Sequence, residues 1–381
     1  MSSAPVSVDR VANVVGGETV ASRSQRTLPV TNPTTGEVIA EVPMSTAAEL
    51  DAAVVRAAEA QVEWGSTPVK DRVQVLFRMK ALMEAQTERL TATIVEENGK
   101  TGGEALGSIL RAVECLEFAS SLPQMDTGGG LEVSPGVECR TARFPLGVVA
   151  GITPFNFPLM VPLWMIPTAL ACGNAFVLKP SEQTPLSALE LARLLDEAGL
   201  PPGVFSVVNG DREVVEAICD HPDIRAVGFV GSTKVARAVY RRGTSSFKRV
   251  RALGGAKNHL VVVPDADPEM TATNVVASVT GCAGQRCMAA AVLVAVGEVE
   301  HIIDRIRDKM AAIVAGRDMG PMISEQARQR VSGYIDRAGE GNLLLDARTN
   351  VAEEAPAGGY FIGPCIVDGV DSSHEAACEE I

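Results

Sequence analysis

Residues 146–178 constrain the fold most, because this stretch is overwhelmingly apolar and longer than a bilayer-spanning helix requires. Four prolines interrupt it, at Pro154, Pro158, Pro162 and Pro167. A single helix would be broken there and would leave backbone groups unsatisfied in lipid, which argues against a membrane span. The pattern instead predicts a strand over 147–152, a proline-rich loop, a helix over 163–171 and a strand over 175–178.

The same alternation continues along the chain. It predicts helices over 187–198 and 214–219, and strands over 205–208 and 226–230. Strands that are apolar throughout and separated by helices form parallel sheets covered on both faces, so the fold class is α/β. Ligands of such sheets bind at the carboxyl ends of the strands.

The part of the chain before this sheet has a different pattern. Apolar residues at helical spacing predict helices over 46–60, 70–99 and 103–120. Residues 131–144 have the alternation of an extended hairpin arm.

Composition narrows the possible functions. The chain has 381 residues, of which 46% are hydrophobic and 21% charged, so it can bury the cores of about two domains. A net charge of −13 argues against nucleic acid and anionic membranes as partners. The basic run over 241–251 is therefore interpreted as a solvated face.

The cysteine pattern indicates whether the chain binds a metal and whether its thiols are oxidised. The eight cysteines are scattered, with no CxxC pair and no histidine at metal-ligand spacing, so neither a metal site nor a disulfide framework is predicted. Residues 1–27 lack the apolar core of a signal peptide. We therefore expect a cytoplasmic protein whose cysteines are reduced.

The octapeptide 281–288 contains the candidate nucleophile. Cys287 follows glycines and Arg286, and a nearby guanidinium lowers a thiol pKa while glycines give a substrate room to approach. A buried core cysteine explains the same octapeptide equally well.

A strand-to-helix junction at Gly231, Ser232 and Thr233 is the candidate phosphate site. Backbone N–H groups at a helix start favour anions, and a glycine allows close approach. The alternative is simple N-capping by Ser232 or Thr233, and no GxGxxG fingerprint is present.

Taken together, the motifs resemble the aldehyde dehydrogenase superfamily, and within it the methylmalonate semialdehyde dehydrogenases that acylate coenzyme A. The resemblance runs from about residue 32 to 381. It is carried by the segments 32–37, 152–158, 178–182, 229–232, 255–259 and 284–287, in this order and spacing. It implies an NAD-binding parallel-sheet domain over 1–254, with an oligomerisation arm at about 122–144, and a second α/β catalytic domain over 255–381.

The resemblance implies a role for each matching residue. Cys287 is the nucleophile, and Asn156 helps to stabilise the oxyanion. The implied NAD contacts are Thr153 and Phe155 beside the nicotinamide, Lys179 and Glu182 at a ribose, Ser232 at the pyrophosphate, Gln183 and Gly254 nearby, and Glu380 as a second ribose-binding carboxylate. A carboxylate at Glu182 would repel a 2′-phosphate, which favours NAD over NADP.

The family resemblance also implies the substrate and the acyl acceptor. Arg111 and Arg286 match a clamp for a substrate carboxylate, although a surface salt bridge is the alternative for Arg111. Hydrolytic relatives have a glutamate where this chain has Ala252 or Leu253, depending on the anchor. Without that general base, transfer of the acyl group to coenzyme A is favoured over hydrolysis. The implied reaction is oxidation of methylmalonate or malonate semialdehyde to propionyl-CoA or acetyl-CoA with loss of CO2.

The chain stops at Ile381, whereas family members continue with a segment that completes the pocket and the assembly. The expectation is therefore an incomplete catalytic domain, and two states of assembly stay open: the family's dimer or tetramer, or the loss of that assembly. Two alternatives follow: a truncated relative that binds NAD without catalysis, and an NAD-dependent aldehyde dehydrogenase that hydrolyses its thioester.

Overall fold

The computed structural model describes residues 9–125, 128–339, 342–370 and 372–381. Positions 126 and 127 of the predicted arm, and the first eight residues of the predicted N-terminal domain, lie outside these ranges. No helix in the described ranges is long and apolar enough to cross a membrane.

The strands are short and distributed along the chain. They are β1 Asn13–Val15, β2 Glu18–Val20, β3 Thr27–Thr31, β4 Val38–Pro43, β5 Gly129–Ser134, β6 Val137–Thr141, β7 Val148–Ile152, β8 Ala175–Lys179, β9 Phe205–Val207, β10 Ile224–Val230, β11 Arg249–Leu253, β12 His259–Val262, β13 Val292–Ala295, β14 Leu343–Asp346 and β15 Cys365–Val367.

The helices include long ones near the start and shorter ones between the strands. They are α1 Ala47–Ser66, α2 Val69–Ala85, α3 Thr87–Asn98, α4 Gly102–Ser120, α5 Leu122–Met125, α6 Met160–Leu163, α7 Ile166–Ala171, α8 Leu186–Glu197, α9 Arg212–Asp220, α10 Thr233–Ser245, α11 Pro268–Thr280, α12 Glu300–Ala311, α13 Glu325–Ala338 and α14 Glu375–Cys378.

The described residues group into two compact units. The first contains the residues up to Val30, together with Ala40–Thr93 and Leu106–Gly254. The second contains Thr31–Ile39, Ile94–Ala105 and Gly255–Ile381. Two segments from the first third of the chain thus belong to the second unit, whereas the predicted domain division is a single cut after residue 254.

A seven-stranded sheet forms the centre of the first unit, in the order β11-β10-β7-β8-β9-β1-β2. The five strands from β11 to β9 are parallel, and β1 and β2 extend the sheet in antiparallel pairing. Every residue of β7 and β8 is buried. This confirms the α/β parallel sheet predicted from the apolar runs, because strands covered on both faces cannot alternate in polarity.

The core of the first unit packs helix α1 against this sheet. Leu50, Ala53, Val54 and Ala57 lie at helical spacing, are fully buried and share one apolar cluster with residues of β7 and β8. Burial of each large side chain stabilises the fold by about 1.5–3 kcal/mol. A capping box between Thr46 and Glu49 begins this helix.

The second unit is also α/β. Strands β12 and β13 pair in parallel, and β14 and β15 pair antiparallel. Helices α11 and α12 contribute Val275, Val276, Ile302 and Ile306 to a buried apolar cluster that also contains Val262 of β12.

Three predicted helices were wrong in extent. The helix predicted over 46–60 continues to Ser66 as α1. The helix predicted over 70–99 is divided into α2 and α3 at Gln86, where φ is −111° and ψ is 22°. The Thr87 hydroxyl donates to the carbonyls of Met83 and Glu84, which satisfies the end of α2. The helix predicted over 163–171 is likewise replaced by α6 and α7.

The predicted arm is a β-hairpin of β5 and β6. Its strands cover Gly129–Ser134 and Val137–Thr141, and all of their residues are exposed. The hairpin therefore ends before Phe144, which the prediction had included. It carries apolar side chains such as Leu131, Val133 and Val137 on an exposed surface.

Candidate active site

In the first unit, four predicted cofactor residues follow parallel strands. Thr153 follows β7, Lys179 ends β8, Ser232 lies just beyond β10 and Gly254 directly follows β11. Because these strands are parallel, their carboxyl ends form one edge of the sheet. The structure therefore brings these four residues to the edge where α/β proteins bind ligands.

An ion pair organises one part of this edge. Lys179 Nζ lies 2.9 Å from Glu182 Oε2, with the lysine side chain 5% exposed and the glutamate side chain 40% exposed. Burial acts to raise the pKa of Glu182, but the Lys179 ammonium outweighs it and the pKa lies below its usual value. Glu182 is therefore a fixed carboxylate at neutral pH, as a ribose acceptor must be.

A second carboxylate near this pair was not among the predicted residues. Asp211 begins helix α9, accepts a bond from the Glu213 N–H and pairs with Arg26 at 2.6 Å. Its charge acts on both Lys179 and Glu182. Its place shortly after β9 was the available signal, because that strand ends at the same edge.

The start of α10 has the form expected of an anion site. Ser232 is the N-cap residue, yet its side chain makes no capping hydrogen bond among the described residues. The simple capping alternative is therefore wrong for Ser232. A Cβ at Gly254 would lie 3.1 Å from the Thr233 Cα, so a side chain at 254 would crowd the helix start.

Other predicted residues of the first unit lie on loops or surfaces. Phe155 and Asn156 are half-buried on the loop after β7, and the Phe155 carbonyl accepts a bond from the Thr184 hydroxyl at 3.5 Å. Gln183 is half-buried and its N–H donates to Ser181 Oγ. Together they place polar atoms beyond the ends of β7 and β8.

Arg111 lies on the exposed surface of α4. Its side chain is 71% exposed and forms an ion pair with Glu114 at 2.8 Å, one turn further along the helix. The surface salt bridge given above as the alternative for Arg111 is thus present. To bind a substrate carboxylate, Arg111 would have to release Glu114.

In the second unit, the candidate nucleophile follows a tight turn. Gly281–Gly284 forms a 3₁₀ turn, and Cys282, Ala283 and Gly284 have φ values of 53°, 52° and 78°. Gln285 braces the turn, since its Nε2 donates to the Cys282 carbonyl and its Oε1 accepts from the Ile323 N–H, both at 3.0 Å. Cys287 itself is half-buried.

Asn258 fixes the backbone of the nucleophile. Its Nδ2 donates to the carbonyls of Cys287 and Ala289, each at 2.9 Å. Its own carbonyl accepts from the Val292 N–H, which continues the pairing of β12 with β13. Asn258 belongs to one of the sequence motifs, but the pattern does not reveal this function, because the contact links residues 29 positions apart.

The surroundings of Cys287 disfavour its thiolate form. Burial, and then the negative charge of Glu380, raise the pKa of Cys287 above its usual value, while the backbone N–H groups of Cys287 and Met288 oppose this. Loss of hydration likewise raises the pKa of Glu380 against the attraction of Arg330 and Lys257. Glu380 therefore lies near the thiol.

Arg286 does not lower that pKa, contrary to the prediction from the octapeptide. Its guanidinium Nη2 lies 3.3 Å from Glu104 Oε1, so its charge is directed toward a carboxylate. Its Nε is buried and has no hydrogen-bond partner among the described residues. Arg286 thus has a donor available for a further acceptor.

A family model described as "Aldehyde dehydrogenase family" matches residues 19–381. The chain belongs to the aldehyde dehydrogenase family. The resemblance inferred from the motifs is thereby confirmed, and so is the α/β fold class.

Individual aldehyde dehydrogenases narrow the comparison. Malonate-semialdehyde dehydrogenase 1 of Geobacillus kaustophilus is 47% identical over 377 residues, which are 97% of this chain and 77% of that relative. A crystal structure of methylmalonate-semialdehyde dehydrogenase from Oceanimonas doudoroffii matches with a TM-score of 0.93 at 38% identity, covering 97% of this chain and 78% of that one. A provisionally named methylmalonate-semialdehyde dehydrogenase from Sinorhizobium meliloti, complexed with NAD, matches with a TM-score of 0.94 at 39% identity and the same coverage.

Proposed function

We propose that this aldehyde dehydrogenase oxidises malonate semialdehyde or methylmalonate semialdehyde with NAD and transfers the acyl group to coenzyme A. Loss of CO2 from the carboxyacyl group leaves acetyl-CoA or propionyl-CoA. The relatives named for these substrates support the substrate class. The choice of coenzyme A as the acyl acceptor rests on the end of β11, where Ala252 and Leu253 stand in place of a carboxylate.

The chemistry begins at the Cys287 thiol. Once the thiol has lost its proton to solvent, its sulfur attacks the aldehyde carbon, and the oxygen that gains charge is stabilised by the Asn156 amide and the Cys287 N–H. NAD, when bound, supplies the acceptor for the hydride that leaves the same carbon. The carbon is then held as a thioester on Cys287, and the contacts of Asn258 keep its backbone in place.

The absence of a carboxylate at the end of β11 decides the fate of the thioester. Water is a weak nucleophile and needs a general base, whereas the thiol of coenzyme A is intrinsically a stronger nucleophile. With alanine and leucine at 252 and 253, hydrolysis is slow and thiol transfer is favoured. The sulfur of coenzyme A is acylated and loses its proton, and the Cys287 sulfur leaves and takes up a proton, which regenerates the enzyme.

The NAD site comprises the residues at the carboxyl edge of the sheet. Lys179 and Glu182 would hold a ribose, Ser232 and the start of α10 the pyrophosphate, and Thr153 and Phe155 the nicotinamide. Gln183 and Gly254 adjoin this site, and Glu380 supplies a second ribose acceptor. The available N-cap of α10 and the fixed carboxylate of Glu182 support this assignment.

The substrate carboxylate is assigned to Arg286 and Arg111. The unpartnered Nε of Arg286 in the described residues supports its role. Arg111 contributes only if the exposed pair with Glu114 opens, which costs little because exposed ion pairs are worth about 0–1 kcal/mol.

The assembly is proposed to be a homodimer or tetramer in a reducing cytoplasm. The exposed hairpin of β5 and β6 supports assembly, since an isolated two-stranded hairpin is marginally stable in water.

The test is NADH formation by the purified chain with malonate semialdehyde and NAD, with and without coenzyme A. We expect turnover that depends on coenzyme A and is abolished in Cys287→Ala. Equal turnover without coenzyme A, with a free acid as product, would establish a hydrolytic enzyme instead. NAD binding without NADH formation would establish a non-catalytic relative.

A further inference from the structure

The turn before Cys287 is held in a costly conformation. Cys282, Ala283 and Gly284 are consecutive left-handed residues, and two of them carry a Cβ. For such residues this region is unfavourable, because the Cβ crowds the following carbonyl oxygen. Backbone of this kind persists only where neighbouring groups hold it in place. Gln285 holds the Cys282 carbonyl, and a carboxylate holds the Cys282 N–H.

Glu104 contacts both ends of the segment 282–286. Its Oε1 accepts a hydrogen bond from the Cys282 N–H at 2.6 Å. The same oxygen accepts from Arg286 Nη2 at 3.3 Å. One carboxylate oxygen therefore holds the first left-handed residue of the turn and the residue that directly precedes Cys287.

The carboxylate of Glu104 is itself immobilised. Its Oε2 accepts from both the N–H and the hydroxyl of Thr101 at 3.1 Å, and the Glu104 N–H donates back to the Thr101 hydroxyl at 3.3 Å. This is a capping box at the start of α4, and the glutamate side chain is only 18% exposed. The Glu104 carboxylate that holds the turn is therefore itself fixed at the start of α4.

We propose that Glu104 is a positioning residue for the reaction of Cys287. Its two contacts stabilise the left-handed turn and orient Arg286, so that the thiol is presented in one arrangement. Loss of the carboxylate lets the turn relax toward ordinary backbone angles, and the thiol then spends less time where the aldehyde carbon can be attacked. The inference rests on the proposed function for its kinetic test.

The chain offers a matched control in Glu49. This residue forms the same capping box with Thr46, whose N–H and hydroxyl donate to Glu49 Oε2 at 2.9 and 3.1 Å. Its Oε1 also accepts a backbone N–H, from Arg23 at 3.0 Å. Glu49 and Glu104 differ in what the second oxygen holds, since Glu49 holds no part of the nucleophile turn.

The experiment compares Glu104→Ala and Glu104→Gln with Glu49→Ala and Glu49→Gln. NAD and malonate semialdehyde are mixed with each enzyme without coenzyme A, and the burst of NADH is followed. In both Glu104 variants we expect a burst about 10- to 100-fold slower with unchanged amplitude, because misplacement of reacting groups by about 1 Å costs on this order. The loss is smaller in Glu104→Gln, whose amide oxygen can still accept one of the two bonds.

The Glu49 variants should lower the melting temperature as much as the Glu104 variants and leave the burst rate unchanged. An unchanged burst rate in Glu104→Ala would overturn the proposal. A smaller amplitude at unchanged rate would overturn it too, since that pattern reports unfolded enzyme.

Failure of the proposed function would be visible separately, as no burst in the unmodified enzyme. Amide hydrogen exchange of residues 282–285 then tests whether Glu104 stabilises the turn. Faster exchange in Glu104→Ala but not in Glu49→Ala supports it, and equal exchange overturns it.

Discussion

Lys179 and Glu182 form an ion pair of 2.9 Å across the end of a buried strand. The lysine belongs to β8, whose residues are all buried, so its ammonium has one fixed position from which to hold the carboxylate. The pair presents both a donor and an acceptor at the edge of the sheet. A ribose diol can use both groups, and in the NAD site proposed above Glu182 would repel a 2′-phosphate on the same sugar.

The first prediction therefore concerns cofactor preference. In Glu182→Gln we expect the preference for NAD over NADP, measured as the ratio of the two kcat/KM values, to fall about tenfold or more, because a repulsive charge is removed. The control is Glu190→Gln, which removes a carboxylate of α8 that pairs with Arg89 and is not assigned to the ribose. An unchanged ratio in Glu182→Gln would refute the assignment of the ribose site.

The second prediction concerns the pH dependence of the thiol. Burial and the charge of Glu380 raise the pKa of Cys287. The rate of its alkylation by iodoacetamide should therefore keep rising at pH values where an ordinary thiol has already reached its full reactivity. Removing the negative charge in Glu380→Gln favours the thiolate and should shift the profile to lower pH. Mass spectrometry of the Cys287 peptide measures this.

Glu375→Gln is the control for this shift. Glu375 precedes Glu380 by five residues and is paired with Arg337. It is not among the charges that act on Cys287. A shift in both variants, or in neither, would contradict the effect of Glu380.

The third prediction concerns substrate charge. Arg286→Leu should reduce kcat/KM for malonate semialdehyde far more than for propanal, because only the acidic aldehyde loses a charged partner. Truncating one partner of a buried charged pair typically costs about 2–5 kcal/mol. Equal losses for the two aldehydes would refute the clamp. Arg111→Leu applies the same comparison to an exposed arginine.

Much of this architecture could be predicted from the sequence, and the reason lies in burial. Strands β7 and β8 are covered on both faces, so an unbroken apolar run predicted each of them and thereby the parallel sheet. The residues that follow these strands lie at the carboxyl edge of the sheet, and their role in binding a ligand stays a prediction.

What could not be predicted is long-range and polar. Glu104 and Cys282 are 178 positions apart, and no periodicity encodes a single hydrogen bond between them. The division of the predicted helix 70–99 depends on one threonine hydroxyl, Thr87, which binds carbonyls of the preceding turn. The pKa of Cys287 was mispredicted for a related reason, because the adjacent Arg286 pairs with a carboxylate that is remote in sequence.

The last prediction concerns Asn258, whose amide donates to the carbonyls of Cys287 and Ala289. In Asn258→Ala we expect kcat to fall about tenfold or more while KM for NAD is unchanged, since the nucleophile loses its backbone support and the cofactor site does not. The cost in the free energy of unfolding should be about 1–3 kcal/mol, from two lost hydrogen bonds.

Asn350→Ala separates positioning from stability. The Asn350 amide also donates to two carbonyls, those of Ala311 and Ile313, so its loss should cost a similar free energy of unfolding. We expect its kcat to be unchanged. Equal falls in kcat for the two variants would mean that the loss of stability alone explains the effect, and Asn258 would then have no specific influence on the thiol.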